Sequence, residues 1–326
     1  MVKKKRAVFT VKPLWYRTRW DKIIYLIILG CFIVVSPGQN IYSIGTIVSG
    51  RFFRTLPIAQ PEPAPYPENR TGAYPGSDIS ATGIVIYDID SGVYLYKRNE
   101  NELLAPASTT KIMTALVALD AYTLDDVVTV KTVSNNGQTM GLFPGERITV
   151  ENLLFGALVH SGNDAAYTLA EHYSGGVQAF VQAMNVKAKA LHLDNSMFTN
   201  SVGYDNSQHK MTPMDLARLG SIALKNSVIA KMVAIPQITV SDVTHTYFHP
   251  LKNVNELLGK IPGVGGIKTG WTEEAGENLI TLVERDGHKI IIVLLRSRDR
   301  FGETAKLIDW VFSNYEWAQL SPTADR

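Results

Sequence analysis

The spacing of hydrophobic and polar residues predicts strands near the start of the folded body and helices after them. Two β-rich runs, GIVIYDI and VYLYKR, are joined through Asp90-Ser91-Gly92, which predicts a β-hairpin. A helix is predicted over 108–122, and residues 148–192 have the pattern of successive helices. The stretch 212–226 begins with Thr212 as a helix cap followed by a proline, so it predicts a further helix.

The last third of the body returns to a strand pattern. The runs GIKTGWT, ENLITLVER and HKIIIVLLRS predict three strands, with Asp286-Gly287 as the turn between the last two. An amphipathic helix is predicted over 302–316. Because strands from both ends of the body enclose a helical section, the order predicts an α/β (α+β) fold. We expect an antiparallel five-stranded sheet flanked by helices, together with an all-helical subdomain.

The N-terminal segment has a different pattern. Residues 1–22 contain eight basic residues and one acid, and the uncharged run Ile23–Val35 follows. Basic residues before an apolar run are typical of a signal peptide or of an N-terminal membrane anchor. We expect 23–50 to be a retained single-pass anchor with 1–22 in the cytoplasm. A cleaved signal, which would give a secreted protein, is the alternative, and a buried soluble helix would leave the basic residues unexplained.

The region between this segment and the body is rich in proline. Six of the fifteen prolines lie within 56–78, so we expect 51–79 to be an extended linker without packed structure. The folded body is then 80–318, and 319–326 is a tail. Cys31 is the single cysteine, which excludes a disulfide within the chain. Lipidation of Cys31 is disfavoured because further apolar residues follow it.

Charge limits the classes of partner. The net charge is +2, but after residues 1–22 are subtracted the rest of the chain has 24 basic and 29 acidic residues, about −5 in total. A nucleic-acid-binding body would carry its lysines and arginines on a folded face instead. We therefore expect no nucleic-acid partner.

The first motif with candidate chemistry is Ser108-Thr109-Thr110-Lys111. One helical turn places the lysine amine within reach of the serine hydroxyl. Serine is a weak nucleophile unless a base removes its proton, and a lysine does so only when its pKa is lowered enough to make it neutral. Taken alone, Ser108 is equally well explained as a helix cap and Lys111 as a solvated charge.

Two further motifs follow along the chain. Ser161 and Asn163 come directly after an apolar helical run, where a hydroxyl and an amide can both point into a cleft, although turn chemistry explains them equally well. Lys268-Thr269-Gly270 and then Trp271 lie on a predicted strand, where a glycine often marks the close approach of a ligand or backbone. A weak edge strand with one exposed lysine is the alternative.

The joint occurrence of the three motifs identifies a family. Ser161 lies 53 residues after Ser108, and Lys268 lies 107 residues further on. An ordered S-x-x-K, S-x-N and K-T-G set resembles that of β-lactamases and penicillin-binding proteins. The segments LAPASTTKIMTAL, LVHSGNDAA, MTPMDLARLG and GVGGIKTGWTEEAGENL are similar to serine-type D-alanyl-D-alanine carboxypeptidases, the low-molecular-weight penicillin-binding proteins. The resemblance covers about 80–316 and implies the β-lactamase/penicillin-binding transpeptidase-like fold.

The resemblance also implies catalytic roles. Ser108 would attack the carbonyl group of the D-Ala-D-Ala bond and form an acyl-enzyme. Lys111 would be the general base, with its ammonium form disfavoured by the nearby Lys268. Ser161 would relay a proton to the departing amine.

Substrate binding is implied for a second group of residues. Asn163 would hold the substrate amide, and Lys268 and Thr269 would bind the terminal carboxylate. The backbone N–H groups of Ser108 and Trp271 would form the oxyanion hole, with room left by Gly270. An arginine at the end of the last strand would add to carboxylate binding, and the candidates are Arg296 and Arg298.

The implied substrate is the D-Ala-D-Ala end of a peptidoglycan stem peptide, with β-lactam antibiotics as inhibitors. We expect no cofactor and no metal. His245 and His249 are four residues apart, but they occupy a β-like segment without a third convincing ligand. His160, beside the second motif, suggests a Ser-His-Asp arrangement, but its neighbours are typical of a packed helix end.

Other functions stay open on the sequence. A class A β-lactamase shares the motifs but uses a glutamate between the second and third of them, and this chain has no glutamate between Glu171 and Glu256. A membrane-anchored β-lactam sensor would need a cytoplasmic signalling module, and about 22 residues precede the apolar run. A DD-endopeptidase or a catalytically silent cell-wall scaffold is also compatible with the layout.

Overall fold

The structure is a computed structural model that describes residues 23–28, 64–133 and 136–319. Residues 23–28 are helical and fall in a unit separate from the body. Among the described residues, no helix is both long enough and apolar enough to cross a membrane. The rest of the predicted anchor, most of the predicted linker and all of the tail after residue 319 lie outside the described residues.

The described body contains the predicted strands and helices in the predicted order, together with six short strands that are not among the predicted ones. The helices are α1 (Lys111–Ala121), α2 (Val150–Leu158), α3 (Asn163–His172), α4 (Gly176–Ala190), α5 (Pro213–Leu224), α6 (Ser227–Val233) and α7 (Arg300–Asn314), and a 3-10 turn (Ala107–Thr110) precedes α1. The strands are β1 (Tyr66–Asn69), β2 (Gly83–Asp88), β3 (Tyr94–Arg98), β4 (Val127–Thr129), β5 (Arg147–Thr149), β6 (Gln237–Ser241), β7 (Phe248–Lys252), β8 (Val264–Thr272), β9 (Gly276–Arg285), β10 (His288–Ser297) and β11 (Tyr315–Ala318). The six strands that were not predicted are β1, β4, β5, β6, β7 and β11.

The central sheet confirms the predicted architecture. Its five strands lie in the order β3-β2-β10-β9-β8, and every neighbouring pair is antiparallel. Strands β2 and β3 form the predicted hairpin, and the three strands of the last third, β8, β9 and β10, complete the sheet. Strand β8, which carries the Lys268-Thr269-Gly270 motif, is an edge strand whose partner in the sheet is β9.

Strand β10 shows why the sheet is buried on both faces. Side chains of a strand alternate between its two faces. Ile290, Ile292 and Leu294 pack in the cluster formed with helix α7, whereas Ile291 and Val293 belong to the larger core shared with the helical layer. The continuous apolar run therefore reflects two cores, one on each face of the sheet.

The helical layer is organised around α1. Residues Lys111–Ala118 of this helix are all buried, and the helix contacts α2, α3, α4 and α5. Helix α5 begins as predicted, because the Thr212 hydroxyl accepts a hydrogen bond from the N–H group of Asp215 at 3.1 Å and Pro213 occupies the first helical position. The start of α1 is thereby fixed between the sheet and the other helices.

The ends of the body depart from the predictions. Residues Tyr66–Asn69 were expected within an unpacked linker, but they form a strand that pairs with Tyr315–Ala318. The predicted helix over 302–316 accordingly ends at Asn314. The sequence pattern misses this pairing because the two short segments are distant in sequence, and neither has a strong strand pattern. The packed body thus includes residues before 80.

Candidate active site

The first motif lies at the junction of the 3-10 turn and helix α1. Ser108 is in the turn Ala107–Thr110, and Lys111 is the first residue of the helix. The residue at the N-cap position of α1 is Thr110, which makes no side-chain capping bond. Ser108 is therefore not the helix cap, and its hydroxyl group is available to accept a hydrogen bond from Lys111 Nζ at 2.8 Å.

Lys111 is fully buried, and each of its ammonium hydrogens has an acceptor. In addition to Ser108 Oγ, its Nζ donates to Asn163 Oδ1 at 2.7 Å and to the Val202 carbonyl oxygen at 2.9 Å. Burial lowers the pKa of Lys111 well below its usual value, and the positive charge of Lys268 lowers it further. The lowered pKa makes the neutral amine, which can take a proton from Ser108, more accessible than it is in an exposed lysine.

The second and third motifs meet across the site. Lys268 Nζ donates to Ser161 Oγ at 2.8 Å and to the Thr269 carbonyl oxygen at 3.1 Å. Burial lowers the pKa of Lys268 to about 7, and the positive charge of Arg300 acts in the same direction. Ser161 itself has a φ of 61°, in the left-handed region, which is strained for a residue other than glycine and typical of functional sites.

Asn163 and Asp164 hold the loop that forms one wall of the cleft. Asn163 Nδ2 donates to the Asn136 carbonyl oxygen at 2.8 Å. The carboxylate of Asp164, which is fully buried in the first turn of α3, accepts bonds from four backbone N–H groups, those of Met140, Gly141, Leu142 and Ala165. Asp164 is therefore more than a helix cap, because it ties this loop to α3.

Two glycines allow the backbone to approach Ser108 closely. A Cβ atom at Gly270 would lie 3.0 Å from the backbone nitrogen of Ser108 and 3.0 Å from the Cβ atom of Ala107. A Cβ atom at Gly203, which has a φ of +92°, would lie 1.9 Å from the carbonyl oxygen of Ala107. The glycine of the K-T-G motif thus brings β8 against the turn that carries Ser108, as the sequence suggested.

These groups surround one open cleft of about 470 Å³. Ser108, Ser161, Asn163, Thr269, Gly270 and Trp271 all line it, and Trp271 is 60% exposed. Lys111 and Lys268 lie buried behind this surface, where they contact Ser108 and Ser161. Residues that are 53 and 107 positions apart in sequence are thereby brought into one site.

The arginine in the cleft is not one that the sequence suggested. Arg296, at a φ of 57° beside an irregularity in β10, donates from Nη2 to the Glu274 carbonyl oxygen at 3.2 Å and does not line the cleft. Arg298 is exposed on the following turn. Arg300, the first residue of α7, lines the cleft instead and donates from Nη1 to the Gly270 carbonyl oxygen at 2.9 Å. The arginine of the cleft thus lies four residues after Arg296 and two after Arg298.

Sequence reasoning also missed a buried histidine behind the site. His209 Nδ1 accepts a bond from the backbone N–H of Thr199 at 3.2 Å, and its Nε2 lies 2.9 Å from Thr110 Oγ1. Burial lowers the pKa of His209 to about 4, so the ring is neutral and Nε2 is the donor to Thr110. The histidine thus links the turn containing Ser108 to the segment that leads to Val202, whose carbonyl group accepts from Lys111.

The three histidines that the sequence raised as candidates, His160, His245 and His249, have structural partners. His249 Nε2 lies 2.7 Å from Glu146 Oε1, and His245 Nδ1 lies 2.9 Å from Ser241 Oγ. His160 contacts Gln138 and the backbone of Lys252. Within the part of the chain that the structure describes, no group of three or more His, Cys, Asp or Glu residues is arranged to hold a metal ion.

Comparison with known proteins agrees with this geometry. The family model of peptidase S11, the D-alanyl-D-alanine carboxypeptidases, matches residues 69–299. The chain belongs to this family of peptidases. Among curated relatives, the D-alanyl-D-alanine carboxypeptidase DacF of Bacillus subtilis is 36% identical over 246 residues, which cover 72% of this chain and 63% of that protein.

Solved structures of family members have the same fold. The DD-transpeptidase of Streptomyces K15 superposes with a TM-score of 0.68 at 34% identity, covering 72% of this chain and 98% of that chain. Penicillin-binding protein D2 of Listeria monocytogenes, solved in its ampicillin-bound form, superposes with a TM-score of 0.65 at 28% identity over 73% of this chain and 100% of that chain. The fold is therefore that of the penicillin-binding DD-peptidases.

Proposed function

We propose that the protein is a serine D-Ala-D-Ala carboxypeptidase that removes the terminal D-Ala from peptidoglycan stem pentapeptides. The observation that carries the proposal is the hydrogen bond between buried Lys111 and Ser108, at the edge of a cleft that also presents Ser161, Asn163 and Thr269. A serine is activated as a nucleophile when a base lies within hydrogen-bond reach, and here the low pKa of Lys111 provides that base.

The proposed reaction has two steps, acylation of Ser108 and hydrolysis of the acyl-enzyme. Ser108 Oγ attacks the carbonyl carbon of the D-Ala-D-Ala bond while its proton moves to Lys111 Nζ. The backbone N–H groups of Ser108 and Trp271 stabilise the negative oxygen of the tetrahedral intermediate. The C–N bond then breaks, and Ser161 relays the proton to the departing D-Ala amine. Water hydrolyses the ester on Ser108 and restores the enzyme.

The cationic side of the cleft suits a substrate that ends in a carboxylate. Lys268 and Arg300 flank Thr269, whose hydroxyl can donate to the carboxylate. We assign carboxylate binding to Arg300 rather than to Arg296, because Arg300 lines the cleft and its buried Nε has no hydrogen-bond partner among the described residues. Asn163, which also lines the cleft, would hold the amide group that precedes the scissile bond.

β-Lactam antibiotics fit the same proposal as inhibitors. Their strained amide carbonyl group is a target for Ser108, and the acyl group remains attached to the serine unless water is activated efficiently. The sequence has no glutamate between Glu171 and Glu256, within the region between the second and third motifs where a class A β-lactamase carries its catalytic glutamate. We therefore expect stoichiometric acylation by penicillin and no sustained turnover of nitrocefin.

We further propose that residues 23–50 anchor the protein in the bacterial cytoplasmic membrane, with the catalytic body outside. The support is the order of basic and apolar residues in 1–35. Secretion after cleavage is the alternative. Fractionation of cells that express the full chain tests this, because an anchored protein stays with membranes after a salt wash and retains its N-terminus.

The decisive test of function compares Ser108→Ala with the wild type. We expect the variant to lose labelling by fluorescent penicillin and release of D-Ala from stem pentapeptide, while circular dichroism and melting temperature stay the same. Ser227→Ala, at an exposed serine on α6, is the matched control and should keep both activities. Retained labelling of Ser108→Ala would refute the proposal. Incubation with a cross-linked dimer separates carboxypeptidase from endopeptidase activity.

A further inference from the structure

The cleft contains one acidic side chain for which the proposed mechanism has no use. Among the described residues that line it, Glu273 is the single carboxylate, and it follows directly after strand β8. Its carboxylate makes no hydrogen bond or ion pair with any described residue, and the residue is exposed. The basic groups of the site, Lys268 and Arg300, lie beside Thr269, at the other end of the same segment.

The backbone on both sides of Glu273 is held in place. Thr272 Oγ1 donates to Asp205 Oδ1 at 2.5 Å and accepts from the N–H group of Ala275 at 3.0 Å. Glu274 forms an ion pair with Lys210. The two neighbouring acids, Asp205 and Glu274, therefore have partners, whereas the Glu273 carboxylate is free to meet a ligand at a fixed position.

The distance along β8 indicates which part of a stem peptide reaches Glu273. Glu273 lies four positions after Thr269, which is about 13 Å along an extended strand. A stem peptide whose terminal carboxylate lies at Thr269 and which runs extended along the open edge of β8 covers about 7 Å before its third residue. The four-carbon side chain of a diamino acid reaches about 6 Å from the peptide backbone, so its ammonium group comes within reach of the flexible Glu273 side chain.

Trp271 adds an apolar surface on this path. Its side chain is 60% exposed and lines the cleft between Thr269 and Glu273. An exposed indole beside a carboxylate suits a ligand with an aliphatic stem and a cationic end, because the stem packs on the ring and the charge pairs with the acid.

We propose that Glu273 is a specificity residue that binds the side-chain ammonium group of the diamino acid at the third position of the stem peptide. The inference rests on the proposed carboxypeptidase function and names which stems that site prefers. In a stem that has accepted a cross-link this amine is acylated and uncharged. Glu273 thus favours stems whose third-position amine is free over stems in which it is acylated.

The test measures binding in a background that cannot turn over. In Ser108→Ala, the dissociation constant is measured by calorimetry for two pentapeptides, one with L-lysine at the third position and one with Nε-acetyl-lysine. We expect the lysine peptide to bind about three- to fivefold more tightly, as for an exposed ion pair. Adding Glu273→Gln should abolish this preference, and about 0.5 M salt should weaken it because exposed charges are screened.

Glu274→Gln in the same background is the matched control, because this acid is adjacent but paired with Lys210 and absent from the cleft lining. It should keep the preference for the lysine peptide. Equal binding of the two peptides by the Ser108→Ala protein would overturn the inference, as would loss of the preference in Glu274→Gln but not in Glu273→Gln. Absence of D-Ala release by the wild type, with the binding preference intact, would count against the proposed function and not against Glu273.

Discussion

The buried lysines of the site predict an unusual dependence of stability on pH. Lys268 is 2% exposed, and burial together with Arg300 lowers its pKa to about 7 from the ordinary value of 10.5. Replacing it by methionine in Lys268→Met keeps a side chain of similar length but removes the titrating group. The variant therefore isolates the contribution of one buried ammonium group.

The sign follows from the number of protons bound in each state. Below about pH 7 both the folded and the unfolded chain protonate Lys268, and the folded state carries the full cost of burying the charge. Between about pH 7 and 10.5 only the unfolded chain binds this proton, so the free energy of unfolding rises with pH. The folded and unfolded pKa values of Lys268 differ by about 3.5 pH units. At about 1.4 kcal/mol per unit, the free energy of unfolding therefore rises by at most about 5 kcal/mol.

The assay is urea denaturation of the wild type and Lys268→Met at several pH values between about 7 and 9.5. The free energy of unfolding of the wild type should rise by about 3 kcal/mol more than that of the variant across this range. Loss of the hydrogen bond to Ser161 shifts the variant by a constant amount and leaves its slope unaffected. Removing Lys268 also raises the pKa of Lys111, because the positive charge of Lys268 no longer acts on it. The free energy of unfolding of the variant then depends even less on pH.

Lys260→Met is the matched control, because this lysine is exposed and forms a surface ion pair with Glu256. Its denaturation should follow the wild-type pH dependence. Parallel pH profiles for the wild type and Lys268→Met would refute the reasoning, since they would show that Lys268 titrates in the folded protein as it does in the unfolded chain.

Three other substitutions test the packing around Ser108. Gly203→Ala places a methyl group against the Ala107 carbonyl oxygen at a positive φ, so it should destabilise the fold by about 2–3 kcal/mol and lower Tm by roughly 5–10 °C in a thermal melt. Asp164→Asn removes the charge that four backbone N–H groups bind, and a loss of about 2–3 kcal/mol in urea denaturation is expected. Gly270→Ala should push β8 away from Ser108 and slow acylation by fluorescent penicillin about 10- to 100-fold. An unchanged Tm is the control for folding. An unaltered acylation rate would show that the close approach of β8 to Ser108 is not needed.

Local sequence signals determined most of the elements of the body. The hairpin turn Asp90-Ser91-Gly92, the cap at Thr212 and the apolar run of β10 each act within a few residues, so they can be read without knowing the fold. The resemblance of the three motifs supplied the family and the five-stranded sheet, because residue types at these spacings are shared by its members. The three motifs also identified six of the residues that line the cleft.

Only the tertiary structure decided how those residues are protonated and what surrounds them. The sequence showed only that Lys111 needs a lowered pKa to act as a base. The residues that bury Lys111 and accept its hydrogen bonds, among them Asn163 and Val202, lie up to 91 residues away in the chain. The pairing of the two ends of the body and the choice of Arg300 over Arg296 likewise depend on long-range contacts and on an irregularity in a strand. Such features are set by packing among distant segments, and a pattern of neighbouring residues carries no information on that packing.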